Sequence, residues 1–125
     1  MSVILDAGAL VAIERGDRRF LANLMEAQCR KVPVRTSSAA LAQVWRDGAR
    51  QAGLARQLPA IDQRPLDSDS AKQIGALLAA AGTSDVVDGH VAVLCNAGDV
   101  VFTSDPNDIR HLLEAHTIQA AIERV

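Results

Sequence analysis

The sequence predicts an α/β fold: an open, mainly parallel sheet with helices on both faces. Short β-branched runs alternate along the chain with segments whose apolar residues recur at helical spacing. The connections between these runs are too long for hairpins, so successive strands must be joined by crossovers. With 125 residues, 49% of them hydrophobic and 22% charged, the chain has the size and composition of one soluble domain spanning residues 1–125.

SVILD is the first strand and ends in an acid. AGALVAIERGD follows as a helix, with Leu10, Val11 and Ile13 on its apolar side and Gly16 as its stop. Residues 17–30 place Phe20, Leu21, Leu24 and Met25 at helical spacing behind Asp17, a suitable N-cap. VPVRT is the second strand. Ser37 and Ser38 suit the cap of the helix AALAQVWRDGARQ, which carries Leu41, Val44 and Trp45 on one side and ends near Gly53. A helical turn, LARQL, leads to Pro59, and AIDQRPLD reads as a weak third strand.

Ser68 or Asp69 opens the helix SAKQIGALLAAAG, with Ile74, Leu77 and Leu78 facing inward and Gly82 as its terminator. Thr83 and Ser84 start a helix through DVVDGHVAVLCNAG. The strand DVVFTSD, the helix DPNDIRHLLEAH and a last strand near TIQAAIERV complete the alternation.

The net charge of −2 argues against a protein that coats nucleic acid by bulk positive charge, but the average conceals an asymmetry. Residues 1–62 carry nine Lys/Arg against six acids, whereas residues 63–125 carry four against nine. One half can attract a polyanion while the other concentrates carboxylates. No apolar run reaches the roughly 20 residues of a membrane span, and Asp6 and Glu14 interrupt the first apolar stretch, so a cytoplasmic protein without a membrane partner is expected. Cys29 and Cys95 both lie in apolar, helix-like stretches and are expected to be buried, reduced thiols.

Ligands of open parallel sheets bind outside the carboxyl ends of the strands, where strand order reverses. Asp6 closes the first strand and Asp105 the strand VVFTSD, so both project at that edge. Asp88 lies in an otherwise apolar helix, where an unpaired acid is costly, and Asp85 precedes it at i, i+3 spacing. Carboxylates gathered at one point repel each other unless a cation sits among them, and oxygen-only ligands select Mg²⁺ or Mn²⁺. Such a cluster suits water activation and in-line attack on a phosphodiester. Local structure offers a second account of each acid. Asp6 can cap the following helix, Asp105 can form a capping box with Asp108, and Asp85 complements a helix dipole. His90, His111 and His116 show no partner, and Trp45 reads as a core residue.

Taken together, VILDAGALVAIERGD, LAQVWRDG, TSDVVDGHVAVLC and VVFTSDPNDI resemble the PIN-domain family, and especially the small bacterial VapC-type toxins, over nearly the whole chain. The resemblance implies a five-stranded parallel sheet and an endoribonuclease that cleaves RNA with Mg²⁺ or Mn²⁺. It further implies a small antitoxin partner, as in type II toxin–antitoxin pairs, and a homodimer. Residue by residue it assigns Asp6, Asp88 and Asp105 as catalytic, metal-holding acids and Thr103 as the Thr of a T-x-D segment.

One position departs from the family pattern. Gln43 stands where the family has Glu, and an amide brings a ligand oxygen but no charge. Asp47, one turn beyond Gln43 on the same predicted helix, and Asp85, one turn before Asp88, are the two acids placed to compensate. Asp85 is expected to join the metal ligands, because its segment already carries one. Gln43, Thr103, Asp108 and Arg46 are expected beside the ligands or against the substrate. The alternative is a catalytically impaired PIN-fold module that binds RNA or an antitoxin.

Overall fold

The computed structural model describes residues 1–125. Five strands form one sheet in which every neighbouring pair is parallel. They are β1 (Val3–Leu5), β2 (Val34–Ser37), β3 (Asp62–Arg64), β4 (Val100–Thr103) and β5 (Ala121–Arg124), in the order β3-β2-β1-β4-β5. Seven α-helices connect them: α1 (Ala7–Glu14), α2 (Arg18–Cys29), α3 (Ser38–Val44), α4 (Ala52–Gln57), α5 (Ser68–Ala81), α6 (Val86–Leu94) and α7 (Pro106–Ala115). A 3₁₀ turn, Leu58–Ala60, follows α4. The predicted α/β class and parallel sheet are therefore present. No single helix is long and apolar enough to cross a membrane.

The central strand β1 is buried on both faces, as parallel sheets require. Successive side chains point to opposite faces, so Val3 and Leu5 join one core with Leu10, Ile13, Phe20 and Leu54. Ile4 joins the other with Ile74, Val91, Val101 and Ile109. Full burial of each such Leu or Ile contributes roughly 1.5–3 kcal/mol, so the two cores hold the helices to the sheet far more firmly than the caps do.

Several predicted boundaries move, each for a local reason. The helix after β2 does not run through to Gly53. It stops at Val44 because the buried side chain of Gln51 accepts from the amides of Arg46 and Asp47 at 2.7 and 3.1 Å and donates to Val44 O at 2.8 Å. Asp67, rather than Ser68 or Asp69, caps α5 by accepting from Ser70 N. Asp85, rather than Thr83 or Ser84, caps α6, which ends at Leu94. Gly16 and Gly82 take positive φ values of 70° and 69° beyond α1 and α5, as predicted for stops. Met25, predicted to face inward from α2, is 64% exposed. Of the two cysteines only Cys95 is buried, while Cys29 lies exposed at the end of α2.

Candidate active site

The strand order reverses between β1, whose chain continues towards β2, and β4 on its other side. The crevice beyond the carboxyl ends of these two strands is the expected ligand position in such a sheet. Asp6 follows β1 directly, and Asp105 lies two residues beyond β4. Asp6 N–H donates to Phe102 O at 3.2 Å, which holds the residue against β4.

Asp6 is a helix cap and, at the same time, a buried strand-end acid. Its Oδ1 accepts from Ala9 N at 2.8 Å and so caps α1, while the residue is only 3% exposed. Burial pushes its carboxyl above the usual carboxylate range, against hydrogen bonds from Thr103, Ala9 and Ser104 that pull it down. Thr103 is fully buried between the two strand-end acids: it helps hold the Asp6 carboxyl down, and its Oγ1 accepts from Asp105 N at 2.9 Å.

The predicted capping box at Asp105 does not form. Asp105 occupies the N-cap of α7, yet its side chain makes no capping bond, and the exposed carboxylate stays free. Asp85 caps α6 by accepting from Asp88 N at 2.9 Å. Asp88 itself is half-buried, and its carboxyl is pushed up to about 6. Burial contributes most, followed by the charges of Asp85, Asp6, Asp105 and Asp108. The four other acids therefore all lie within electrostatic reach of Asp88. Asp85, Asp88 and Asp108 also line a small hollow of about 80 Å³ with Thr83, His111 and Leu112.

The chemistry of this set fits a hard divalent cation: every donor is a carboxylate oxygen, and Asp88 is raised by negative neighbours that a cation would offset. No three His, Cys, Asp or Glu side chains converge closely enough to hold an ion as they stand. Asp105 and Asp108 are exposed and their carboxylates make no hydrogen bond, whereas the exposed Asp85 carboxylate is held by its cap to Asp88 N.

Other predicted residues lie apart. Gln43 is exposed near the end of α3. Asp47 is not on the helix of Gln43. It sits in the turn beyond α3, where it accepts from Ala49 N at 3.0 Å and faces Arg50 at 3.9 Å. Arg46 folds back onto α3, donating to Ala42 O and Trp45 O at 3.2 and 2.6 Å. Two of the three histidines do have partners: His111 Nε2 donates to Ala81 O at 2.6 Å, and His90 bonds Ser37. Burial lowers His90 below its ordinary range, with Asp67 opposing.

Arg124 was not foreseen. The register of β4 with β5 sets it opposite Thr103, and its guanidinium donates to Ser104 O at 3.3 Å. It lines a hollow of about 170 Å³ with Asp105 and Asp108, and also a groove of about 440 Å³ with Arg19, Phe20 and Phe102. Only strand pairing brings it there, so no local sequence signal marks it. The largest cavity, about 460 Å³, lies away from the acids between α2 and the sheet, lined by Val3, Val32, Val100 and Phe102 among others.

No family model and no curated protein matches this chain. Among solved structures, VapBC2 from Rickettsia felis bound to a DNA fragment from its promoter superposes with a TM-score of 0.70, covering 100% of this chain and 99% of that one at 15% identity. The fold is that of a PIN domain. The likeness runs over the whole of this chain, and the predicted five-stranded parallel sheet agrees with it.

Proposed function

We propose that this chain is a metal-dependent endoribonuclease and the toxin of a type II toxin–antitoxin pair. The observation that carries the reading is Asp88, half-buried and raised to about 6 by that burial first and then by four further aspartates, at the switch point of a PIN-type sheet. Asp6, Asp88 and Asp105 hold the ion, with Asp85 joining them, and Asp108 stands beside the set. Bound there, Mg²⁺ or Mn²⁺ activates water and offsets charge on the phosphodiester. Thr103 stands beside Asp6 and accepts from the Asp105 amide, so the backbone of Asp105 is held near Asp6. A small antitoxin as partner is supported by the likeness to a complex of the VapBC kind, and a homodimer belongs to the same reading.

Cleavage of a mixed RNA by the purified protein with Mg²⁺, with Mn²⁺ and with chelator tests the activity. Absence of cleavage in every arm, from folded and antitoxin-free protein, sinks it. One observation favours a second reading, a PIN-fold module that binds RNA or antitoxin without cutting: Gln43 supplies no charge, and Asp47 is turned away to Arg50. In that case RNA binding persists and cleavage does not.

The raised Asp88 carboxyl gives a pH signature. Its folded value, about 6, lies above the ordinary 3.8, so between these pH values the folded chain retains a proton that the unfolded chain has lost. Stability should therefore fall as pH rises from about 4 to 6 and level off above, by on the order of 1 kcal/mol once screening at this half-exposed site is allowed for. Mn²⁺ should restore it at pH 7.5, raising Tm by about 4 °C, and do little at pH 4.5. Equal Mn²⁺ effects at both pH values would count against a carboxylate site.

Arg124 is the cation at the rim of the acids, and no carboxylate pairs with it at salt-bridge distance. It is placed to receive a substrate phosphate. Arg124→Gln should raise KM for single-stranded RNA about fivefold with kcat nearly unchanged, and flatten the logarithmic salt dependence of RNA binding by about 0.7. An unchanged KM removes Arg124 from the substrate path.

A further inference from the structure

α6 is gripped on two sides. Gly89 lies so close to α5 that a Cβ there would meet Ile74 Cγ2 at 2.9 Å and Leu78 Cδ2 at 3.1 Å. The next residue, His90, is fully buried, and its Nδ1 lies 2.6 Å from Ser37 Oγ, where β2 turns into α3.

Donor counting fixes the roles in that bond. Ser37 Oγ already accepts from the amides of Ala39 and Ala40 at 3.0 and 3.2 Å, capping α3. A hydroxyl has two acceptor lone pairs and one proton. Both lone pairs are engaged, so the proton goes to His90 and Nδ1 accepts it. The imidazole is thereby the Nε2–H tautomer, and that buried Nε2 has no hydrogen-bond partner.

Burying an unmet donor is locally unfavourable, and a leucine at this position would avoid it. What the histidine supplies is a fixed point 53 residues away in sequence. His90 and Asp88 are two positions apart, about 200° around the helix. His90 therefore holds the inner side of α6 while Asp88 faces the acids. Those acids repel Asp88, and a helix free to roll would relieve the repulsion by carrying Asp88 towards solvent.

We infer that His90 is a positioning residue, which through its bond to Ser37 holds α6 in the rotation that turns Asp88 into the hollow it lines with Asp85 and Asp108. The inference rests on the reading of these acids as a cation site, and its tests separate the two. Long-range ¹H–¹⁵N spectra of the cation-free wild type should show His90 protonated on Nε2 and bare on Nδ1. An Nδ1–H tautomer overturns the inference.

Mn²⁺ binding, followed by electron paramagnetic resonance, is the second readout. His90→Leu and Ser37→Ala should each weaken it about tenfold, whereas His90→Asn, which keeps an acceptor near the Nδ1 position, should stay within about threefold of wild type. RNA cleavage should follow in kcat, with KM unchanged. A folded His90→Leu protein that binds Mn²⁺ as tightly as wild type overturns the inference, whatever its Tm. Where His90→Leu does not fold, Ser37→Ala against Ser37→Thr makes the same comparison. If the wild type binds no Mn²⁺, the cation reading falls. The tautomer and the amide exchange of α6, expected to quicken in Ser37→Ala relative to α5, then decide the role of His90.

Discussion

Asp88→Asn protein is expected to lose at least about 100-fold in metal-stimulated RNA cleavage while remaining folded. Asparagine has the shape of aspartate and keeps its place in the first turn of α6, where only the backbone amide is used by the Asp85 cap. The change removes one charge from a group of five. Because that charge is disfavoured where it stands, the variant should be slightly more stable than wild type at pH 7.5, by on the order of 1 kcal/mol after screening, and indistinguishable near pH 4. Activity and stability thus move in opposite directions. An active variant, or one destabilised at neutral pH, contradicts the reading of Asp88 as a carboxylate kept for chemistry. Denaturant melts at the two pH values and a cleavage time course decide both halves.

Gly8→Ala should be the most damaging small substitution on the site's margin, costing about 2–3 kcal/mol. Helix propensity alone predicts the opposite sign, since alanine favours a helix over glycine by roughly 1 kcal/mol. A Cβ on Gly8 would collide with Ser104 Oγ and lie 2.6 Å from Ser104 Cβ and 3.1 Å from its backbone nitrogen. The backbone contact leaves little to relax, so α1 must lift from the loop between β4 and α7. By contrast, the Cβ contacts at Gly89 are to side chains alone, those of Ile74 and Leu78, with no backbone atom among them. Urea unfolding of Gly8→Ala alone and with Ser104→Gly measures the collision. Restoration of most of the loss in the double variant identifies Ser104 as its origin, and a Gly8→Ala protein within about 0.5 kcal/mol of wild type shows that the loop yields.

The parts of the architecture that a sequence can express locally were legible. Asp6 and Asp105 stand at strand ends, and a parallel sheet puts strand ends at one edge. Asp88 stands out as an acid in an apolar helix. The stops at Gly16 and Gly82 follow from the backbone freedom of glycine. What was illegible depends on residues that meet only after folding. The helix with Gln43 looks continuous until Gln51, returning from the next turn, captures the amides of Arg46 and Asp47. That capture takes Asp47 off the helix, and with it one of the two compensating acids. Arg124 reaches the acids through strand register, and Ser37 meets His90 across the core. The exposure of Met25 and Cys29 has a similar origin, since α2 buries only Phe20 and Leu24.

The strand order has a consequence for the order of assembly. β1 precedes the other four strands in the chain, yet one of its two partners is β4, with Val3 paired to Val100 and Leu5 to Phe102. A chain emerging from the ribosome can dock β2 beside β1 early, but the other side of β1 stays open until β4 (Val100–Thr103) has followed. Asp6 meets Asp105 only then. Until β4 and the residues after it have emerged, a nascent chain therefore carries only half of this carboxylate site.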